Sequence, residues 1–488
     1  MTVEVKAEAA AAAAGVEKEE PKARMVEKSS SYREESNCLS DLREYERKAL
    51  NDLKAKLEEA ILGNTLFRKE DEKKPNEEEK EKEKEKEKDC VKEGEDEKKA
   101  ECGDDKKPEE ENQNKGSEEE PETAKEEESE QPKAKPEPEI DRDVSIWGVP
   151  LLPTKGNEST NIVLLKFLRA REFKVNEALE MLKKTLEWRK EFKIDTILEE
   201  EFETDLSSAA YMCGVDRQSH TVCYNIFGVL DNEEIYDKTL GTEEKREQFL
   251  RWRVQLMERG VEKLDFKPDG VNSLVQVNDL KNSPGPARKE VRTAVNKAVA
   301  LLQDNYPEFV AKNIFINVPF WYFAYHSLVS PFLTQRTRSK LVFARPSKVT
   351  DTLLKYIPIQ EIPIQYGGMK RENDSEFFPI SDGEPTEVMI KAGSTHTIEI
   401  PTPEAGTTFI WDVIVLGWEV NYTEEFVPTD ESSYTMMIQK GKRICSDELP
   451  VRKTFKNHEP GKIVITVQNT SGKKKKMFYR HKVKKACF

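Results

Sequence analysis

The sequence predicts a multidomain chain: a disordered acidic N-terminal region, an α/β domain fronted by a small helical lobe, and a C-terminal all-β sandwich. Three observations predict it. Acidity is concentrated at the front: the 488 residues carry a formal net charge of −15, and residues 1–140 hold about −16 of charge, leaving about +1 for the rest. Through the middle third, apolar strand-like runs alternate with amphipathic helical runs, the pattern of a mostly parallel sheet covered by helices. After Gly367–Gly368 strand-like runs follow one another with Gly, Pro, Asn and Asp between them, as in a β-sandwich of about 100 residues. The expected division is 1–143, acidic and mostly disordered; 144–205, helical lobe; 206–372, α/β domain; 373–488, sandwich.

The acidic front cannot fold alone. Residues 68–139 are almost entirely Glu, Lys, Asp and Pro, including EEEKEKEKEKEKD, and bury too little apolar area to offset chain entropy. A single charged helix is disfavoured because strict Glu-Lys alternation puts like charges four apart. One island differs: between Leu39 and Leu62, the positions Leu42, Tyr45, Leu50, Leu53, Leu57 and Ile61 fall on one helical face. Docking on the main body is the favoured reading of this helix, ahead of a partner-binding or membrane-surface role. The start lacks a basic region followed by an apolar core, so no secretory signal is expected. No run approaches the roughly 18 apolar residues of a membrane span. Seven scattered cysteines lack metal-ligand spacing and read as reduced thiols of a cytoplasmic protein. Any membrane association is therefore expected to be peripheral.

The elements follow in order. IVLLKFLRAREF and EALEMLKKTLEWRKEF predict two amphipathic helices with a turn at Lys174–Asn176. Strands are expected around Tyr211–Val215, Val222–Phe227, Val271–Val277, Asn313–Val318 and Leu341–Ala344, and helices over Glu243–Leu264, Arg288–Asn305 and the unusually apolar Phe320–Leu333. The sandwich strands are EVMIKAG, HTIEIP, TFIWDVIVLGWEVNYTEEF, YTMMIQKG, KIVITVQNT and KMFYRHKV.

LLKFLRAREF, EWRKEF, NDLKN, the long stretch from NYPEFVAKN to TRSKLVF, and IPIQYGG together resemble the CRAL-TRIO lipid-binding fold, in its phosphatidylinositol-transfer branch. The β-rich segment after them resembles a GOLD domain, and the acidic tail before the pair resembles the patellins of plants. The resemblance spans residues 144–485. It implies a gated apolar cavity for a phospholipid, with phosphoinositides as ligands and no other cofactor. It also implies a role in membrane traffic at the forming cell plate, on anionic plasma or endosomal membranes, with no nucleic-acid partner.

The chemistry suits that implication. Each CH₂ moved from a bilayer into water costs about 0.8 kcal/mol, so two sixteen-carbon chains cost on the order of 25 kcal/mol without an apolar cavity. Phe320, Trp321, Phe323, Leu328 and Phe332 lie on nearly every face of one helix, which must be buried or lipid-facing. An ordinary core helix would look the same by periodicity; the resemblance makes it the mobile gate. It also places Arg171, Glu308, Thr337 and Lys340 at the headgroup positions, where a desolvated phosphate needs cations and donors. Surface ion pairs are the ordinary fate of such residues. Two departures stand out. Glu172 follows the headgroup arginine where the family often has a second base. Leu274 and Gln276 replace the small hydroxyl residues of phosphatidylcholine carriers, so phosphatidylcholine exchange is not expected.

Near the C-terminus, Lys473, Lys474, Lys475, Lys476 and Arg480 form a basic cluster with an aromatic pair beside it. Anionic headgroups attract such a cluster by about 1 kcal/mol per basic residue, against the plainer reading of a solvated loop that keeps a strand edge soluble. An enzyme is the rival class. The five histidines form no metal-binding pair, and no nucleophile elbow or phosphate-binding glycine loop is present. A non-enzymatic carrier without catalytic residues or a metal is therefore expected. The second reading is a trafficking adaptor, in which the GOLD sandwich grips a protein partner and lipid only regulates.

Overall fold

The structure is a computed structural model and describes residues 35–67, 143–154, 158–202, 206–283, 288–320, 322, 335–377, 383–445 and 448–484. The acidic run at 68–139 and most of the 320–333 segment lie outside these residues. The chain forms two compact units, Glu44–Phe192 and a second made of Met1–Arg43 with Lys193–Phe488.

The smaller unit is built on helices Glu44–Leu62, Glu158–Ala170 and Val175–Glu191. The first of these is the helix expected inside the acidic front. It packs on both others, with Leu50, Leu53, Leu57 and Ile61 at 3% exposure or less. The acidic front is thus interrupted by a structural helix, and a deletion of residues 1–140 would remove part of this unit's core. Strands β1 (Ser145–Ile146) and β2 (Val149–Pro150) pair antiparallel. Trp147 and Gly148 between them both have positive φ, 52° and 72°, as a two-residue hairpin turn requires. The Trp147 ring stacks on Phe167 at 6.0 Å.

In the larger unit, β3 (Ala210–Val215), β4 (Thr221–Ile226), β5 (Leu274–Asp279), β6 (Val310–Ile316) and β7 (Leu341–Phe343) form a five-stranded sheet in sequence order. β3 runs antiparallel to β4, and the other pairings are parallel. The expected alternation is borne out, with two short helices the sequence reading did not assign, Glu233–Thr239 and Val349–Tyr356. Because side chains alternate along a strand, the sheet has two characters. One face carries Val222, Tyr224, Val275, Val277, Ile314 and Ile316, sealed by Leu353, Ile357, Ile362 and Tyr366. On the other face, Ala210 and Cys223 pack with Phe249, Trp252 and Leu256 of the Glu243–Val261 helix and with Val291 and Ala298 of the Lys289–Asn305 helix. Gly260 brings that first helix close: a Cβ there would stand 2.7 Å from Met212 and 2.9 Å from Leu274.

The C-terminal part forms two antiparallel four-stranded sheets, ordered β13-β10-β15-β8 and β12-β11-β14-β9. The strands are β8 (Thr386–Ile390), β9 (Thr395–Thr402), β10 (Thr408–Val415), β11 (Val420–Pro428), β12 (Met436–Ile444), β13 (Val451–Lys456), β14 (Gly461–Gln468) and β15 (Lys475–Lys484). The long run TFIWDVIVLGWEVNYTEEF divides into β10 and β11. Gly417, Trp418 and Glu419 turn the chain there with φ of 69°, 26° and 55°. One core, holding Phe409, Trp411, Tyr422, Phe426, Ile463 and Phe478, also takes in Ile359 and Met369 from the α/β domain. The two domains therefore share apolar contacts at their junction, where Arg371 also comes within 3.9 Å of Asp412. Asp412, 1% exposed, accepts from Arg452 and Arg480.

Candidate functional site

Three charged side chains meet at one end of the five-stranded sheet. Glu308 stands just before β6 with φ of 57°. Its carboxylate is 2.6 Å from Lys340 Nζ and 3.0 Å from Arg336 Nε, and all three side chains are at most 26% exposed. Arg336 and Lys340 sit four apart on the Gln335–Lys340 helix, so both project from the same side. Burial pushes the Glu308 carboxyl up, but Lys340 and Arg336 outweigh it and hold the group below its ordinary value. Thr337 is exposed on the same helix. Arg336 also donates to Glu35 at 2.9 Å.

Of the residues expected at the headgroup, the structure brings Glu308 and Lys340 together and puts Thr337 on the same short helix as Lys340; Arg336, which the sequence reading missed, joins them. The signal was present in QRTRSK, where Arg336 stands one helical turn before Lys340. Arg171 belongs to the smaller unit, in the turn that ends the Glu158–Ala170 helix, where Glu172 and Phe173 adopt φ of 52° and 62°. Of the expected gate and cavity residues, Trp321, Phe323, Leu328 and Phe332 lie outside the described residues. Phe320 is 81% exposed. Tyr322, next in that segment, contacts Phe315 and Phe343, its ring 6.0 Å from each.

The basic cluster of the sandwich is split. Lys473 and Lys474 are exposed in the turn before β15. Lys475 donates to the Gly417 carbonyl at 3.2 Å, and Lys476 pairs with Glu387 at 2.6 Å. The expectation that Arg480 docks on membranes is corrected: it is 5% exposed, and its guanidinium contacts Asp412 at 2.8 Å and Asp374 at 3.4 Å. Phe478, half of the expected aromatic pair, lies in the sandwich core at 6% exposure. Strand alternation explains both, since Phe478 and Arg480 share the face of β15 opposite to Met477 and Tyr479, where Met369, Asp374 and Phe377 cover Arg480.

Among the described residues no cluster of His, Cys, Asp and Glu could hold a metal ion. No described helix is long and apolar enough to cross a membrane.

Comparisons with known proteins agree with this architecture. The CRAL/TRIO N-terminal domain model matches residues 115–184, the CRAL/TRIO domain model 206–368, and the Patellin-1-like C-terminal GOLD domain model 391–476. Patellin-4 of Arabidopsis thaliana is 54% identical over 96% of this chain and 92% of its own length. Patellin-3 of the same plant is 48% identical over 70% of this chain and 69% of its own. A phosphatidylinositol transfer protein, SFH5 of Kluyveromyces lactis, is 29% identical over 50% of this chain and 80% of its own. A crystal structure of Sfh5 aligns with a TM-score of 0.38 at 24% identity, covering 47% of this chain and 80% of that one. The chain belongs to the patellin family, with a CRAL/TRIO domain followed by a patellin-type GOLD domain.

Proposed function

We propose that the chain is a non-enzymatic lipid carrier that binds a phosphoinositide, its phosphate held near Lys340 and Thr337 and its acyl chains against the apolar residues of the sheet. The observation that carries this reading is the cation pair gathered on Glu308. A carboxylate 2.6 Å and 3.0 Å from two cations fixes them in place, so they are pre-positioned for an incoming phosphate. A relative bearing the name phosphatidylinositol transfer protein supports the ligand class. The apolar 320–333 segment supplies the cover by its sequence, and Tyr322 anchors its start on Phe315 and Phe343. Lys473 and Lys474 add a docking contact for anionic membranes, and membrane traffic at the cell plate is the setting in which such a carrier would act. The adaptor reading, with the GOLD domain holding a protein partner, draws on the edge strand β12, where Met436 and Met437 are 49% and 53% exposed.

Mass spectrometry of lipid co-purifying with the full chain tests the carrier reading. Phosphoinositide recovered with wild type and lost from Lys340→Ala supports it. Protein that carries no lipid, and that moves none between liposomes, overturns it.

A further inference from the structure

One sheet of the sandwich is buried on both sides. In β10, Trp411 donates to Glu424 of the other sheet at 2.9 Å, so the odd-numbered side chains of β10 face the sandwich interior and the even-numbered ones face out. The outer face of a free-standing sandwich is polar and wet. Here Ile410, Asp412 and Ile414 of β10, with Phe478 and Arg480 of β15, are all at most 6% exposed. The cover comes from the end of the α/β domain. Leu354, Ile359 and Met369 pack into the same apolar cluster as the sandwich residues, and Phe377 beyond them is 4% exposed.

Charge fixes that cover in place. Arg452, Asp412 and Arg480 form one register row across β13, β10 and β15. Asp374 closes the row from the linker side: Arg452 donates to both of its oxygens at 2.8 Å, and Arg480 reaches it at 3.4 Å. Such forked pairs fix geometry as well as charge. Arg480 also donates to the Met369 carbonyl at 3.3 Å, and Arg371 to the Pro450 carbonyl at 3.0 Å. The Phe377 ring lies against both guanidiniums, its centroid 4.0 Å from Arg480 Cζ and 5.1 Å from Arg452 Cζ. The other end of the linker is tied to the α/β domain. Lys370 pairs with Glu361 at 2.8 Å, and main-chain bonds join Met369 to Ile359 and Lys370 to Ile362. Glu361 in turn backs onto Gly214 of β3 so closely that a Cβ there would stand 2.6 Å from its carbonyl oxygen.

The balance of charge is narrow. Three arginines, Arg371, Arg452 and Arg480, meet two carboxylates, Asp374 and Asp412. Without Asp374, three guanidiniums would crowd one carboxylate where little solvent screens them.

We propose that residues 369–377 are a clasp, latched by Asp374, that holds the GOLD domain in one fixed orientation on the α/β domain. Domains joined in one chain move against each other unless their interface is large and apolar. Here an apolar cover and a buried ion row act together against that motion. Any surface that anchors the sandwich therefore orients the α/β domain as well.

The test is double electron–electron resonance on the full chain, with spin labels carried by unnatural amino acids at Lys297 and Thr397. Both positions are exposed, one on the Lys289–Asn305 helix and one on β9. Wild type is expected to give a single narrow distance. Asp374→Asn should broaden it, and Phe377→Leu, which keeps every charge, should broaden it less. Lys484→Gln removes only the more exposed pair with Glu376 and should leave the distance as in wild type. Circular dichroism and melting of each variant establish folding, and Phe377→Leu provides the second reading if Asp374→Asn is unstable. A broad distribution in wild type overturns the proposal. So does a distance as narrow as wild type in the folded Asp374→Asn and Phe377→Leu variants.

Discussion

Replacing Lys340 by Met separates what the Glu308 cluster does for stability from what it does for ligand. In the free protein Lys340 lies 2.6 Å from Glu308, and their side chains are 13% and 16% exposed. Removing one partner of a fully buried pair costs about 3–5 kcal/mol. Here some solvent remains and Arg336 stays at 3.0 Å, so the expected loss is about 1–2 kcal/mol at pH 7. The pH dependence has a fixed sign. Folding depresses the Glu308 pKa, so its contribution is full above the unfolded glutamate value of about 4.3 and fades as pH falls through the lower folded value. The stability gap between wild type and Lys340→Met should therefore be present at pH 7 and narrow well below pH 4. Glu308→Gln/Lys340→Met leaves no stranded charge from this pair and should recover much of the loss, although it still fails to bind phosphoinositide. Urea unfolding at a series of pH values, followed by tryptophan fluorescence, measures the first part, and liposome transfer measures the second. A gap that persists unchanged at low pH, or a double variant no better than the single, would refute the assignment of Lys340 to Glu308 as its main partner.

Three further outcomes follow from the packing. Leu53→Ala, in the Glu44–Leu62 helix and 0% exposed, should destabilise the smaller unit by about 2–5 kcal/mol, read as earlier cleavage in limited proteolysis; unchanged cleavage would mean the helix is not part of that core. Arg480→Ala should lower stability by about 1–3 kcal/mol, because Asp412 loses one of two close cations and keeps Arg452, whereas Lys473→Gln/Lys474→Gln should leave melting unchanged and flatten the salt dependence of sedimentation with anionic liposomes. Gly368→Ala should loosen the end of the α/β domain, because its Cβ would fall 1.9 Å from the Ile362 carbonyl oxygen; differential scanning calorimetry would show this, and a variant melting like wild type would mean that loop can shift freely.

The sequence announced most of the architecture because its strongest signals are local. Alternation of strand and helix between 206 and 372 and the strand runs after Gly368 need only periodicity and turn residues to be read. The Glu44–Leu62 helix was legible by its apolar stripe. Its partners were not, since about 95 residues, over half of them charged, separate it from the helices it packs against and docking leaves no mark in the stripe itself. The Val349–Tyr356 helix was overlooked because it is short and follows a 3-10 turn at Pro346–Lys348. Arg480 was misjudged for a different reason. A run of basic residues looks uniform in sequence, yet β15 alternates sides, so Arg480 turns to the face where Asp412 and Phe377 bury it while Lys473 and Lys474 stay in the turn.

Glu308 and Lys340 were legible because the resemblance marked both positions, whereas Arg336 was one basic residue among several in QRTRSK. Only the fold shows that its guanidinium lies 3.0 Å from Glu308 and 2.9 Å from Glu35, on the side of a six-residue helix that Lys340 shares. One carboxylate thus holds two cations in place, and a phosphate arriving at this end of the sheet would meet both already oriented.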